Sequence, residues 1–355
     1  MNKISEKRTN PDKKGIILAF ILSVLWSGNP ISIKIGLEDA PPLRLGWMRF
    51  ILGGIVAILW ALYNKEKFTL QKKELAPLFG VGLLFSIQLG FMNVGQNHTS
   101  GGHGVIMITT FPLWASIFSH FFVPNDNLTK TKTAGMLIAY LGVILLFWES
   151  IFDSSSNYLM GDLMMLTSAM LLGARQIYIS QIAQGISQIN ILLSQALVGI
   201  ITFFLFSLSF ESQPYVLSFS LISALFYQGI IIAGFGFIGQ TWLLKKYLPS
   251  KITIISLSQP VFGVMLAWLV LGEDPGVELV FTSFFLLSKE FIRVDLPTFE
   301  RPANAISGSF GSTGNCFGEE ALKINSAEYI FILLIFYRFF WIESLYIFVI
   351  NKIFF

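Results

Sequence analysis

Along this chain, long apolar runs alternate with short polar connections. Nine runs cover residues 15–33, 45–63, 75–94, 105–123, 133–148, 162–182, 189–210, 217–244 and 252–271, and a tenth begins near Val277. A helix crosses the hydrocarbon core of a bilayer with roughly 20 apolar residues, so each run predicts a spanning helix. The first run follows a basic stretch, Lys7, Arg8, Lys13 and Lys14, as a signal peptide would. Asn29-Pro30, however, stands where a cleavage site needs small residues. The second half of the chain also repeats this run at 162–182, so it is read as a retained helix.

The pattern is written twice. A shift of 148 positions sets Pro112 on Pro260, Ile106 on Ile254, Thr110 on Ser258 and Asp126 on Asp274 without a gap. Each copy holds about five runs, and an odd number of crossings forces the copies into opposite orientations. Inverted repeats of this kind place a binding site near the bilayer midplane. The predicted fold is therefore all-α and integral to the membrane, a ten-helix-type bundle of two inverted five-helix repeats. Its divisions are a cytoplasmic tail over 1–13, a first repeat over 14–148 and a second over 159–288.

The second repeat is incomplete. The 148-residue shift sets Lys289, Glu290 and Arg293 opposite Leu141, Gly142 and Leu145. A base at a helix centre costs roughly 2.5–3.5 kcal/mol on the insertion scale, so the run that begins at Val277 fails after Leu287 and the last helix is degraded. Residues 289–328, rich in charge, Pro, Gly and Ser, read as an irregular or disordered linker. Residues 329–351 are apolar and crowded with Phe and Tyr, interrupted by Arg338 and Glu343. They predict a C-terminal spanning or interfacial helix. Two readings of this tail stay open: a reading frame that departs from the ancestral one near residue 280, or a natural tail with an added helix.

Composition agrees with a lipid environment. The chain is 54% hydrophobic and 13% charged, with mean hydropathy +0.67, against about 25% charged residues in soluble domains. A net charge of +3 without a basic, aromatic-interleaved patch gives no argument for nucleic acid, and no such partner is expected. The single cysteine, Cys316, excludes an intrachain disulfide. Basic residues collect on alternate connections: Lys3, Lys7, Arg8, Lys13 and Lys14; Lys65, Lys67, Lys72 and Lys73; Lys130 and Lys132; Lys245, Lys246 and Lys251. The other connections carry Glu149, Asp153, Glu211, Glu273 and Asp274, with Arg44 and Arg49 as their only notable bases. The positive-inside rule then predicts a cytoplasmic N-terminus in a cell (plasma or inner) membrane.

The stretch LSVLWSGNPISIKIGLEDAPPLRLGWMRF, with Trp26, Gly28, Lys34, Pro41-Pro42 and Arg49, resembles the opening of an EamA-type domain of the drug/metabolite transporter superfamily. The stretch QPVFGVMLAWLVLGED resembles that family's proline-containing helix closing in Leu-Gly-Glu, here Pro260, Leu271, Gly272 and Glu273. The resemblance covers about residues 14 to 280 as two tandem domains. It implies ten helices and transport of a small metabolite, amino acid or drug, often outward. In the first copy the Leu-Gly-Glu position reads Val123-Pro124-Asn125, which removes the acidic residue.

Polar residues in the runs are the candidate substrate contacts. Trp26 and Asn29 lie one turn apart on the first run, and Lys34 ends it. Arg175, with Gln176 beside it, lies inside the sixth, where a guanidinium offers a fork of donors to a carboxylate or phosphate. Asn93, Gln96, Gln240, Trp242 and Gln259 complete the set. Pro112 and Pro260 predict a symmetric pair of broken helices beside a cavity. Small residues, Gly80, Gly82 and Gly90 in the third run and Gly229, Gly234, Gly236 and Gly239 in the eighth, predict close helix packing.

His98 and His103 flank a Gly-rich bend and read either as ordinary loop histidines or as groups that couple transport to a proton, with another coupling ion also open. Their spacing is not that of a helical metal site, and no cofactor or metal is expected. The bend also lacks the Lys-Ser/Thr of a phosphate loop, so direct ATP drive is not expected. The leading reading is a secondary transporter working by alternating access, and not an enzyme. Its alternatives are an inactive remnant and a lipid-acting intramembrane enzyme, which would need paired ionisable groups that the runs do not supply. The oligomeric state is open, with a homodimer among the possibilities.

Overall fold

The computed structural model describes residues 8–66, 69–124, 126–128, 133 and 158–273. The chain divides into two units, Met1–Thr298 and Phe299–Phe355, and every described residue belongs to the first. The fifth run after Thr133, the tenth run, the linker 289–328 and the apolar segment 329–351 lie outside the described residues.

Those residues form helices α1 (Lys13–Ser27), α2 (Asn29–Asp39), α3 (Pro42–Tyr63), α4 (Leu75–Asn97), α5 (Gly101–Ile108) and α6 (Phe111–Phe122) in the first half. The second half holds α7 (Leu159–Ile182), α8 (Gln188–Phe210), α9 (Phe219–Leu225), α10 (Phe237–Lys246), α11 (Pro249–Ile255) and α12 (Gln259–Leu266). A π-helical segment, Phe226–Gly236, joins α9 to α10, and a π turn, Ala267–Leu271, extends α12. Seven helices among the described residues are long and apolar enough to cross a membrane, several of them composites: Lys13–Leu37, Pro42–Tyr63, Lys72–Asn97, Gly101–Phe122, Gln188–Phe210, Phe219–Lys246 and Pro249–Leu271. The sixth predicted run is the 24-residue α7. It falls outside that set, and Asp162, Ser168, Arg175 and Gln176 give it a polar face.

The interruptions follow from proline chemistry. Pro30, Pro112 and Pro260 each occupy the first turn of a helix that restarts after a short break, where the missing N–H removes no helical bond. Before Pro112 the chain turns at Thr109 and Thr110, whose hydroxyls donate to the carbonyls of Ile106 (3.0 Å) and Met107 (2.8 Å). Before Pro260 a 3-10 turn, Ser256–Ser258, does the same work, with Ser258 Oγ donating to Ile255 O at 2.9 Å. Both prolines thus close breaks at corresponding places in the two copies.

The packing is also paired. α3 lies on α8 and on the π-helical segment, while α8 lies on α3 and α4. α5 and α6 pack on α7, as α11 and α12 pack on α1. Exchanging the two copies leaves this set of neighbours unchanged. Edge-to-face and tilted rings fill the centre: Phe50 meets Phe85 at 4.9 Å and Phe203 at 5.4 Å, and Phe85 meets Phe237 at 5.7 Å. Leu59, Leu62, Phe79, Leu208 and Phe210 face outward and exposed, while Arg49, Gln88, Asp162, Arg175 and Gln228 are buried. Apolar surface outside with polar groups inside suits lipid as the solvent.

Close approach depends on a few glycines. A Cβ at Gly229 would meet Leu52 Cβ at 2.6 Å and Arg49 O at 3.0 Å, and one at Gly82 would meet Val198 at 2.7 Å and Ser194 O at 3.0 Å. Gly90, grouped with Gly82 by sequence, has nothing within 4 Å of the position a Cβ would take, and it mediates no close contact. Carboxylates cap the ends. Asp12 accepts from Gly15 N at 2.8 Å, and this bond holds its carboxyl down at about 2. Glu211, just past α8, accepts from the N–H groups of Leu43 (2.6 Å) and Arg44 (2.9 Å) at the start of α3.

Candidate functional site

Where α1, α2, α3, α4, α7 and α12 converge with the π-helical segment, they enclose a cavity of about 50 Å³. A water needs roughly 10–15 Å³ of such space, so the cavity has room for only a few waters. Trp26, Asn29, Arg175 and Gln259 from the sequence-derived set line it. Arg49 and Gln88 line it as well, and the sequence reading missed both. It put Arg49 at the start of the second run, near the interface. The helix begins at Pro42 instead, so Arg49 is seven residues, about 10 Å, deep. The signal available for Gln88 was an amide in the middle of an otherwise apolar run.

The other candidates sit elsewhere. Lys34 Nζ donates to Thr99 O at 2.7 Å, against the carbonyl end of α4, where a cation is favoured. Asn93 Nδ2 donates to Pro42 O (3.0 Å) and Gln96 Nε2 to Ser100 O (2.9 Å). Gln240 Nε2 donates to Gln176 Oε1 at 3.1 Å, tying α10 to α7. Trp242 is exposed, edge-to-face with Tyr247 at 5.9 Å and beside Lys246.

Both cavity arginines are almost fully buried, Arg49 at 1% and Arg175 at 5% exposed. The Arg175 guanidinium lies over Phe85 (4.7 Å) and Phe237 (5.4 Å), and that of Arg49 over Phe50 (5.3 Å). Arg49 Nη1 donates to Gln228 Oε1 at 3.3 Å, and Gln228 donates on to Ser32 O at 2.8 Å. Among the described residues, Arg49 Nε and Arg175 Nε and Nη1 have no hydrogen-bond partner, and neither arginine pairs with a carboxylate. Trp26 Nε1, Asn29 Oδ1, Gln88 Oε1 and Gln259 Nε2 are buried and unpartnered too. The cavity therefore presents ready donors and two acceptors to whatever enters it.

At one end of the helix pair α5–α6, Glu273 accepts from Gly101 N (2.7 Å) and Gly102 N (2.8 Å), at the N-terminus of α5. Gly272, at φ +68°, makes the left-handed turn that brings Glu273 back. At the other end, Asp126 accepts from Ser119 Oγ (2.5 Å), Ser250 N (3.1 Å) and Ser250 Oγ, at the N-terminus of α11. The loss of the acidic residue at Asn125 is thus made good one position later. Pro124, fixed near φ −65°, cannot make the turn that Gly272 makes, so the carboxylate arrives by another route.

His103, on α5, is buried and bonds Asp162 of α7 through Nδ1 at 2.9 Å, and Asp162 also accepts from Thr99 Oγ1 at 2.6 Å. Asp162 is 59 residues from His103 along the chain. The fold buries Asp162 and brings the two together. Among the described residues no group of three or more His, Cys, Asp or Glu could hold a metal.

The profile of the EamA-like transporter family matches residues 13–148 and 159–288. The chain belongs to the EamA-like transporter family. It carries two tandem EamA domains and is a multi-pass membrane transport protein, not an enzyme. Among its relatives are an uncharacterized transporter, YoaV, of Bacillus subtilis, 23% identical over 73% of this chain and 89% of that protein. A probable amino-acid metabolite efflux pump of Salmonella typhimurium is 26% identical over 75% of this chain and 90% of its own. A pump of the same description in Escherichia coli is 26% identical over 74% and 88%. A solved crystal structure shares the fold, with TM-score 0.62 at 18% identity over 78% of this chain and 95% of that one.

Proposed function

We propose that this EamA-like transporter is a secondary exporter of a small metabolite, in the class of amino acids and their derivatives, working by alternating access. The observation that carries the reading is the small, largely apolar cavity at the meeting of the two copies, with the buried Arg49 and Arg175 on its wall and a carboxylate latch at each end of the span Gly101–Phe122. Ten helices in two inverted repeats would put these latches on opposite faces of the membrane. The distribution of Lys and Arg supports a cytoplasmic N-terminus in the plasma or inner membrane. The relatives described as probable amino-acid metabolite efflux pumps support the substrate class. The His103–Asp162 pair, a buried imidazole bonded to a buried carboxylate at 2.9 Å, is the candidate for coupling to a proton.

Proteoliposomes loaded with a panel of labelled amino acids test the reading. At least one solute should leave faster than from protein-free vesicles, and an imposed proton gradient should change the rate. Impermeability to the whole panel in both directions would show an inactive remnant instead.

A further inference from the structure

Resting on that reading, we propose that the cavity recognises an organic anion, its charged oxygens seated between Arg49 and Arg175. Two guanidiniums, each at least nine-tenths buried, face one space of about 50 Å³. Among the described residues neither has a carboxylate partner, and three of their nitrogens have no acceptor. A buried charge left uncompensated is among the most unfavourable features a protein can carry. The π faces of Phe85, Phe237 and Phe50 offset part of that cost but accept no N–H bond in the guanidinium plane. A purely structural arginine in a membrane interior bonds to carbonyls or acids along its edge. Arg175, on the cavity wall, has Nε and Nη1 without an acceptor.

The planar fork matches a carboxylate or phosphate with two parallel bonds. Trp26 Nε1 and Gln259 Nε2 add neutral donors. Asn29 Oδ1 and Gln88 Oε1 are the only unpartnered acceptors on the described wall. They suit a hydroxyl or amine on the same ligand, and they are too few and too neutral to make the site one for a cation. The remaining wall, Leu89, Met92, Ile108 and Phe111 among it, is apolar and fits a hydrocarbon body. The site is therefore built for a small amphipathic anion rather than for a neutral or cationic drug.

Thermal denaturation of the purified full chain, at fixed ionic strength, separates the cases. The probes are phenylacetate, isovalerate and phenyl phosphate, with phenylacetamide and isovaleramide as neutral isosteres. At least one anion should raise the midpoint while its size-matched amide does not, and the carboxylate and phosphate arms identify the charged group. Arg175→Gln should weaken the responding anion by about tenfold or more, the loss of charged hydrogen bonds, and Arg175→Lys by less. If Arg175→Gln does not fold, the contrast between anion and amide in the unaltered protein still decides. Amides that stabilise as well as the anions, or anions that do nothing, would overturn the proposal. Vesicle flux with no preference for anions sinks this inference and leaves the transporter reading standing, whereas stabilisation by an anion without any flux does the reverse.

Discussion

Replacing Glu273 with glutamine is expected to open the cavity toward one face of the membrane, and replacing Asp126 with asparagine to open it toward the other. Glu273 holds two N–H groups at the start of α5, and Asp126 holds the backbone and hydroxyl of Ser250 at the start of α11. Each bond set is charge-assisted and points into a helix N-terminus, where the backbone dipoles favour an anion. Each also joins the end of one copy to the start of the corresponding helix in the other. Hydrogen bonds to charged groups contribute about 1.5–3 kcal/mol, so loss of one latch shifts a two-state equilibrium by about tenfold to a hundredfold. The carboxamide keeps the size and one acceptor but removes the charge.

The readout is alkylation of Met92→Cys, on the cavity wall, in a Cys316→Ser background, by an impermeant thiol reagent. Reagent added to the outer face should label the Glu273→Gln protein faster, and reagent added to the cytoplasmic face the Asp126→Asn protein. Transport should fall in both, because a carrier biased to one side completes fewer cycles. Equal effects from one side, or none from either, would mean that the two carboxylates are structural caps and not gates.

The spans were legible because burial in lipid leaves a one-dimensional trace, a run of apolar residues about as long as the bilayer is thick. The duplication was legible for the same reason, and it singled out Pro112 and Pro260 by their equivalent positions in the two copies. Trp26, Asn29, Arg175 and Gln259 stood out as polar groups inside apolar runs. Arg49 did not, because a start set three residues too late along the second run made a buried charge look interfacial. The latches were hidden by the repeat comparison itself. Matching one copy to the other compares Glu273 with Asn125, but the contact that matters runs from one copy into the other and needs only a carboxylate at either position. Lys34 and Gln96 show the opposite error: each is polar within or beside a run, and each is spent on a helix end rather than on the cavity.

Gly161→Ala is expected to destabilise the protein strongly while Gly90→Ala does not, although each places an alanine in a spanning-length helix. A Cβ on Gly161 would lie 2.4 Å from His98 O, 2.5 Å from His98 C and 2.9 Å from Gly95 O. These are backbone atoms, so no rotamer change relieves the clash, and α4 and α7 must separate. Overpacking of this kind costs about 1–3 kcal/mol. Separation would also pull Asp162, the next residue, away from Thr99, whose hydroxyl it holds at 2.6 Å. A buried carboxylate that loses a donor adds a further penalty. Gly90 has nothing within 4 Å of its would-be Cβ, and alanine there gains about 0.5–1 kcal/mol of helix propensity. Gly104 is the intermediate case, since the obstacle is the side chain of Gln96, at 2.0 Å from Oε1, which can swing aside at the cost of its bond to Ser100 O. Thermal denaturation in detergent should then rank the variants with Gly90→Ala at or above the unaltered protein, Gly104→Ala below it and Gly161→Ala lowest. Should Gly90→Ala fall as far as Gly161→Ala, the close approach of α4 and α7 at His98 would not be what fixes this helix pair.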